Sequence, residues 1–427
     1  MLRAAVYFSL ISQAFAWLPG EHKQIIGRDG VDLFNRSSLH EAGLLNKRFL
    51  PSDYGNDKNA IRGVNLGSLF ILENWMSSTV MGSWGCNTKS EFDCVSSLPS
   101  QDDANSKWAQ HWQNWVSAED FERMKDYGLN TVRIPVGYWF LESIVNPSEH
   151  FPQGGEKYLD QVVGWARDAG LYTIIVLHGA PGAQATDAFT GQYNPSPGFY
   201  DDYNYDRAGK WLEWMTEKIH NDEAYKGTVG MLELVNEPER TFDSKYPDAQ
   251  QNTESMNKNY YPDAWSRIRN KEASLNVAAN DRVHIQMMNE KWGSGDPKQS
   301  LTDLTFAAYD DHHYIKYAGL PTTKSAYLQE ACTTDRSGNW PVFVGEWSLS
   351  VDSSVENTDD WKPDHDVDFY KKFWAAQVMS YEKTAGGWIF WSWKTTGLND
   401  PRWDYQMAVD RGIIDRNPDT AYDVGAC

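Results

Sequence analysis

The chain has 427 residues, with 39 basic and 59 acidic side chains, which gives a formal charge of −20 at neutral pH. Proteins that hold phosphate backbones or anionic membranes cluster Lys and Arg, so this charge argues against nucleic acid and membrane partners. A hydrophobic fraction of 41% is too high for a disordered chain. The 20 Trp residues are an unusual number, and aromatic rings suit flat apolar ligand faces such as sugars as well as large cores.

The first residues have the pattern of a secretory signal. Arg3 provides a positive charge, residues 4–11 are apolar, and Ala14-Phe15-Ala16 is a small-x-small cleavage site. The apolar run is well short of the roughly 20 residues of a membrane span. We therefore predict a signal peptide over residues 1–16, a single mature domain over residues 17–427, and secretion from the cell.

Secretion makes the four cysteines candidates for disulfide bonds. Three pairings of Cys86, Cys94, Cys332 and Cys427 are possible. We expect Cys86–Cys94, which closes a short loop, and Cys332–Cys427, which ties the C-terminal tail to the body. A metal site is disfavoured because no Cys-x-x-Cys pair or His-x3-His spacing accompanies these residues.

Short apolar, β-branched runs alternate with helical segments of mixed polarity along the chain. Because the runs are apolar at consecutive positions, they are typical of strands buried on both faces of a parallel sheet. Eight strands alternating with helices predict an α/β fold, a (β/α)8 TIM barrel with insertions in its loops. An open doubly wound sheet is the alternative, but no Gly-x-Gly-x-x-Gly turn follows the first strand. The predicted strands are residues 61–65, 131–134, 172–177, 230–235, 283–287, 304–309, 342–345 and 387–391.

The segment before the second strand shows how the helices are recognised. Ser117 is a plausible N-cap, and Glu119 and Asp120 place acids in the first helical turn. Gly128 follows as a plausible residue just beyond the helix C-terminus. The sequence therefore predicts a helix between Ser117 and Gly128.

Two of the predicted strands deliver a carboxylate to their C-terminal ends. The fourth runs into Asn236-Glu237-Pro238, and the seventh runs into Gly345-Glu346-Trp347. The active site of a TIM barrel forms where the strands end, so both acids reach the same rim. Two facing carboxylates are the minimum apparatus of glycoside hydrolysis, one as acid and one as nucleophile or base. One such Glu would more often cap a helix or pair with a Lys, but two at matched strand ends predict a catalytic pair.

Other strand ends carry polar side chains. Arg133 lies within the second strand and, as a buried charge, needs a carboxylate partner in the barrel mouth. His178 ends the third strand, and His312 and Tyr314 follow the sixth. The run Asp310-Asp311-His312-His313 could suggest a metal, but adjacent residues of an extended segment point to opposite sides and cannot all bind one ion.

The eighth strand is followed by closely spaced tryptophans. Alternate positions share a face of a strand, so Trp391 and Trp393 are expected to point the same way. At least one of them would form the floor of a sugar site, whereas Trp388 is explained as a core residue.

Together, these motifs make the sequence resemble glycoside hydrolase family 5, a retaining (β/α)8 family. The resemblance covers about residues 61–393, and the ordered set of motifs is far more specific than any one of them. Within this family the chain is most similar to secreted fungal endo-β-1,6-glucanases. That finer similarity rests on residues 62–68, 90–95, 178–184, 189–192 and 284–288.

The resemblance implies a role for each candidate residue. Glu237 is the expected acid/base and Glu346 the expected nucleophile, and Asn236 would hold the sugar 2-hydroxyl. Arg133 and Tyr314 would keep Glu346 ionised and oriented, because an opposite charge and a hydrogen-bond donor both lower a carboxylate pKa.

The two histidines, His178 and His312, would contact sugar hydroxyls and the acid/base. The expected function is internal cleavage of β-1,6-glucan by a two-carboxylate double displacement. We expect the reaction to need no metal or cofactor and the protein to be a monomer.

Two other functions stay open from the sequence. Within the same family, an exo-β-1,3-glucanase or a diglycosidase that releases intact disaccharides shares the central motifs, and loop lengths decide between a groove and a pocket. An inactive carbohydrate-binding protein of the cell wall belongs to a different class. The intact pair Glu237 and Glu346 argues against it, because binding alone needs no opposed acids.

Overall fold

Eight parallel strands close into a barrel in the computed structural model, which describes residues 60–427. Each strand pairs with the next, and the eighth pairs with the first, which confirms the predicted (β/α)8 architecture. The predicted signal peptide, residues 1–16, lies outside the described residues. The strands are β1 (Ile61–Asn65), β2 (Thr131–Gly137), β3 (Tyr172–Gly179), β4 (Val229–Glu233), β5 (His284–Met288), β6 (Ala307–His312), β7 (Val342–Glu346) and β8 (Gly387–Phe390).

Helices surround the barrel and fill its longer loops. None of those in residues 60–427 has the length and apolar character needed to cross a bilayer. A π-helical turn at Met256–Tyr260 joins the helices Ala249–Ser255 and Tyr261–Ser274. The helices are α1 (Asn74–Ser83), α2 (Glu91–Ser97), α3 (Gln101–Trp115), α4 (Ala118–Asp126), α5 (Glu156–Ala169), α6 (Asp202–Asn221), α7 (Glu223–Lys226), α8 (Ala249–Ser255), α9 (Tyr261–Ser274), α10 (Lys324–Thr333), α11 (Val367–Thr384) and α12 (Tyr405–Asp410).

Helix α4 begins and ends where the sequence predicts. Ser117 and Asp120 form a capping box at its N-terminus, which satisfies backbone N–H groups that have no partner inside the helix. Gly128 has a φ of 71°, a left-handed conformation that glycine adopts at little cost. The chain can therefore turn directly from α4 into β2.

The sixth strand differs from its prediction. It begins at Ala307 rather than Leu304, because the chain turns at Phe306, whose φ is 62°. This shift of three residues puts His312 at the end of β6 instead of in the loop after it. His312 therefore occupies an inward-facing strand position.

The interior of the barrel changes from apolar to polar along the strands. Its lower layer is a cluster of eight buried apolar side chains, among them Met231 of β4 and Ala308 of β6. Because side chains alternate along a strand, the next inward positions are two residues further on. These positions are the ionisable residues Glu233 and Asp310, both fully buried. The C-terminal end of the barrel interior is therefore polar, and the layer below it is apolar.

Both expected disulfides are confirmed. Cys86–Cys94 closes the segment between α1 and α2, and Cys332–Cys427 joins α10 to the last residue of the chain. The two bonds therefore restrain one loop beside the barrel mouth and the C-terminal tail.

A buried carboxylate supports the segment that follows β1. The side chain of Glu91 accepts hydrogen bonds from the backbone N–H of Leu72, at 2.7 Å, and from the indole of Trp108, at 3.4 Å. Burial raises the pKa of Glu91 to about 8, although both hydrogen bonds act against the shift. Glu91 is therefore held in its neutral form at neutral pH.

This shift predicts a pH dependence of stability. Between pH 4.5 and 8 the folded protein keeps a proton on Glu91 that the unfolded chain has lost, so stability falls as pH rises. Glu73, whose pKa is also raised to about 8, acts in the same sense. His111 and His313, with pKa values lowered to about 4 and 3, act in the opposite sense, but only below about pH 6.5.

We therefore expect Glu91→Gln to reduce the loss of stability between pH 6.5 and 8. The reduction should reach up to about 2 kcal/mol, at 1.36 kcal/mol per pH unit for one group. Urea unfolding at the two pH values measures it, and Glu122→Gln, an exposed substitution on α4, serves as the control. An unchanged pH slope in Glu91→Gln would contradict the prediction.

Candidate active site

The two predicted catalytic carboxylates meet at the C-terminal end of the barrel. Glu346 is the last residue of β7, and Glu237 follows β4 with a φ of 40°, a left-handed conformation that is rare outside glycine. One carboxylate oxygen of each lies within 4.8 Å of the other. Carboxyl groups are about 5–5.5 Å apart in retaining glycosidases and about 6.5–9.5 Å apart in inverting ones, so this close approach favours a retaining pair.

Donors hold both oxygens of Glu346. Arg133 donates to Oε1 and the Tyr314 hydroxyl donates to Oε2, each at 2.8 Å. Burial raises the pKa of Glu346, while the charges of His312 and Arg133 and the Tyr314 hydrogen bond act to lower it. The predicted neighbours of Glu346 are thus brought to it, and they fix the orientation of its carboxylate.

Arg133 is the centre of a buried polar cluster. Its guanidinium contacts Glu233 at 2.9 Å and Asp310 at 3.2 Å, in addition to Glu346. It also donates to the side-chain oxygen of Asn236 at 2.7 Å. A buried charge of this kind is stable only when it is fully paired. Arg133 therefore orients Glu346 and Asn236 at the same time.

His312 connects the cluster to Glu237. Its Nδ1 lies 2.6 Å from Oε1 of Glu237, and its Nε2 lies 3.4 Å from Asp310. Burial alone lowers the pKa of His312, but the surrounding carboxylates, with Glu346 first among them, outweigh burial and hold this pKa well above its ordinary value. His312 is therefore a cation that donates a hydrogen bond to Glu237.

The charges of the cluster balance around these two cations. Burial raises the pKa of Glu233 well above its ordinary value, which makes Glu233 neutral. The charges of Arg133 and His312 outweigh burial at Asp310 and lower its pKa. Two cations then face two anions, Asp310 and Glu346, when Glu346 is ionised. The cluster can hold an ionised Glu346 without a net buried charge.

The same atoms are close enough to hold a metal ion. One ligand atom from each of Glu237, His312 and Glu346 lies within 4.8 Å of the other two. Both carboxylates already accept hydrogen bonds from His312, Arg133 or Tyr314. A doubly protonated imidazole has no lone pair for a metal. These contacts favour an acid pair over a metal centre.

The two aspartates of β6 face opposite sides of the barrel wall. Asp310 points inward to Arg133, whereas Asp311 points outward and pairs with Arg336 at 2.6 Å. The alternation of strand side chains therefore separates them, as the sequence predicts.

Three buried polar atoms near the acid pair lack a hydrogen-bond partner in the described part of the chain. Within residues 60–427, both ring nitrogens of His178 and the side-chain nitrogen of Asn236 have no hydrogen-bond partner. Burial lowers the pKa of His178 well below its ordinary value, so the ring is neutral and offers one donor and one acceptor. Buried polar atoms left unpaired are costly. A ligand with hydroxyl groups would satisfy them.

Trp391 and Trp393 occupy different environments. Trp391 stacks on the His178 ring, with centroids 5.7 Å apart and planes 10° apart. Trp393 is 1% exposed, donates its indole N–H to Asp120 at 3.1 Å and packs near Tyr127. It therefore lies between the barrel and α4. The prediction that the two tryptophans point the same way is wrong, because β8 ends at Phe390 and strand alternation stops there.

A third carboxylate beside the pair was not predicted. Glu73 lies in the loop after β1 and accepts a hydrogen bond from the indole of Trp75 at 2.9 Å. Burial raises its pKa to about 8, and the charges of Glu346 and Glu237 add to the shift. A usable signal was present, because Glu73 ends the apolar run Phe70-Ile71-Leu72 after a strand, as Glu237 and Glu346 do.

Aromatic side chains at the rim were also missed. Trp75 meets Trp403 edge to face at 4.9 Å, and Trp403 packs on Tyr314 at 5.6 Å. Trp292 packs on His312 at 5.6 Å. Local sequence patterns carry no signal for these contacts, because each joins segments that belong to different strand ends of the barrel.

The comparison with protein families identifies the class. Residues 95–397 match the family Cellulase (glycosyl hydrolase family 5). The chain belongs to this family and is a glycoside hydrolase. It is 51% identical to Glucan endo-1,6-beta-glucosidase B of Emericella nidulans over 98% of both chains. It is 30% identical to Glucan 1,3-beta-glucosidase of Candida oleophila, over 87% of this chain and 91% of the relative.

Solved structures share the fold. The rutinosidase from Aspergillus niger has a TM-score of 0.63 at 18% identity, over 83% of this chain and 98% of that chain. A GH5-4 broad specificity endoglucanase from an uncultured bacterium has a TM-score of 0.55 at 18% identity, over 85% of this chain and 94% of that chain. At 18% identity, these similarities show only that the barrel fold is shared.

Proposed function

We propose that this protein is a retaining endo-β-1,6-glucanase with Glu237 as acid/base and Glu346 as nucleophile. The observation that carries the hydrolytic mechanism is the approach of these two carboxylates within 4.8 Å at the open end of the barrel. The linkage is supported by the relative of 51% identity, which is named an endo-1,6-beta-glucosidase and matches along almost its whole length.

The first step joins the sugar to the enzyme. Glu346 attacks the anomeric carbon, the bond from that carbon to the glycosidic oxygen breaks, and Glu237 gives its proton to the departing oxygen. Since Oε1 of Glu237 accepts a hydrogen bond from His312, the transferred proton resides on Oε2. In the second step, water gives a proton to Glu237 and its oxygen displaces Glu346 from the anomeric carbon.

The surrounding residues position the sugar. Asn236 is held by Arg133 through its oxygen, so its free nitrogen can donate to the sugar 2-hydroxyl. His178 offers its free ring nitrogens to other hydroxyls. Trp391 is the proposed aromatic floor, and its ring is stacked on that of His178. Tyr314 keeps Glu346 oriented while the bond to the sugar forms and breaks.

The substrate can be tested directly. We expect purified enzyme to release short β-1,6-linked oligomers from pustulan early in the reaction, with little activity on linear β-1,3-glucan. A β-1,6 link adds a C5–C6 torsion, so a site shaped for its turn misplaces a β-1,3 link at Glu237. A misplacement of about 1 Å can cost on the order of a hundredfold in rate. Chromatography of early products measures the outcome.

Two results would replace this assignment. Release of glucose alone, or faster cleavage of laminarin, would indicate the exo-β-1,3-glucanase. Release of intact disaccharides from a plant glycoside, with no cleavage of pustulan, would indicate the diglycosidase.

We also infer that the protein acts outside the cell as a monomer. The signal pattern of residues 1–16 supports removal of that segment and secretion. The two disulfides of the described chain support an oxidising compartment. A complete pair of carboxylates within one chain supports action without a second subunit.

A further inference from the structure

We propose that Trp292, Arg240 and Phe242 form a binding surface for the glucosyl residues of the leaving group, here termed the leaving-group wall. The inference rests on the proposed function, because it assumes that Glu237 is the proton donor. It adds where the part of the glucan beyond the cleaved bond is held.

The wall begins beside the proton donor. The ring of Trp292 lies 5.6 Å from the ring of His312, which itself contacts Glu237. The Trp292 indole donates to the carbonyl oxygen of Pro238 at 2.8 Å. Because Glu237 gives its proton to the departing oxygen, residues on its side of the pair face the leaving group. Trp292 is thus next to the first glucosyl residue that departs.

The wall continues through a cation between two rings. The guanidinium of Arg240 lies 4.8 Å from the centroid of Trp292 and 5.2 Å from that of Phe242. Contact distances of this size are typical of cation–π pairs. Arg240 also pairs with Asp243 at 3.2 Å, which fixes the position of the guanidinium. The three side chains form one continuous surface that leads away from Glu237.

Phe242 is held at the surface although it is apolar. It is 68% exposed, and exposing a large ring to water is unfavourable. The loop after β4 is tied to the loop after β5, since the N–H and hydroxyl of Thr241 both donate to the Gly293 carbonyl at 3.0 Å. A side chain at Gly293 would collide with the Phe242 ring. Two loops therefore fit together in a way that presents this ring to solvent.

A glucan chain matches the chemistry of this surface. Glucosyl rings have apolar faces that pack on aromatic rings and hydroxyls that accept hydrogen bonds from a guanidinium. Along the leaving-group wall, the guanidinium of Arg240 lies between the aromatic rings of Trp292 and Phe242. The wall would hold two or more glucosyl residues of the leaving group, which an enzyme that cleaves inside a chain needs.

The test separates long from short leaving groups. In Phe242→Ala we expect kcat/KM on long β-1,6-gluco-oligosaccharides to fall about tenfold, the scale of one aromatic stacking contact. With an aryl β-gentiobioside, whose phenol is too short to reach Phe242, kcat/KM should be unchanged. Phe242→Tyr should restore cleavage of the long substrates.

Trp340→Ala is the matched control. Trp340 is 67% exposed, but it precedes β7 and so lies at the opposite end of the barrel. This variant should leave both substrates unaffected. The proposal would be contradicted if Phe242→Ala lowered kcat/KM equally on the long and aryl substrates, or if it did not lower kcat/KM on the long substrates. If the wild type prefers β-1,3-oligosaccharides, only the assignment of the β-1,6 linkage is contradicted. The same comparison of long and aryl substrates, made with β-1,3-linked sugars, then tests the leaving-group wall.

Discussion

Replacement of Glu346 by Ala is expected to lower kcat on every glucan by on the order of 10⁵-fold, as removal of a covalent nucleophile does elsewhere. No glycosyl-enzyme can form without this carboxylate. Arg133 keeps Glu233 and Asp310 as partners in this variant, so we expect it to stay in place and the loss to be chemical rather than structural. Release of reducing sugar from pustulan measures the effect.

Azide distinguishes a lost nucleophile from a lost fold. Azide should enter the space left by the Glu346 side chain and attack the sugar directly, which gives a glycosyl azide of inverted configuration. Glu122→Ala, an exposed carboxylate on α4, should keep wild-type activity. Wild-type turnover in Glu346→Ala, or the absence of any azide product, would remove Glu346 from the proposed role.

The third carboxylate in the site does not replace Glu346. Glu73 has its pKa raised to about 8 by burial and is bonded to the Trp75 indole. At the pH where Glu346 works, Glu73 is neutral, and a neutral carboxyl is a weak nucleophile. A neutral carboxyl can still donate a hydrogen bond, so Glu73 is suited to binding a sugar hydroxyl.

The barrel and the acid pair were predictable because both follow from short-range patterns and one topological rule. Apolar runs identify buried parallel strands, and a closed barrel brings every strand end to one rim. Glu237 and Glu346 are far apart in sequence, but each ends or follows a strand, so their meeting needs no knowledge of the loops.

Contacts that depend on tertiary packing were not predictable in the same way. The sequence predicts that Arg133 faces Glu346, but not that Glu233 of β4 and Asp310 of β6 also surround it. Trp393 was misplaced because strand alternation was extended past the end of β8. The residues of the leaving-group wall lie in two loops whose packing depends on tertiary structure. Local patterns have no information about that packing.

Replacement of Glu237 by Ala is expected to separate substrates by their leaving groups. Cleavage of pustulan should fall by about 10²–10⁴-fold, the usual contribution of a general acid, because a sugar alkoxide leaves poorly without a proton. The first step with 2,4-dinitrophenyl β-gentiobioside should be nearly unaffected, since this phenolate leaves without assistance. A burst of dinitrophenolate followed by slow turnover would show that the glycosyl-enzyme on Glu346 forms and then waits for a general base.

Azide again reports which carboxylate is missing. In Glu237→Ala the nucleophile is intact, so azide attacks the glycosyl-enzyme and gives a product of retained configuration, opposite to that from Glu346→Ala. The configurations differ because the azide product forms by one displacement at the anomeric carbon in Glu346→Ala and by two in Glu237→Ala. Equal loss on pustulan and on the dinitrophenyl substrate would contradict proton donation by Glu237. An azide product of inverted configuration would reverse the roles of the two carboxylates, although their positions within 4.8 Å of each other would stand.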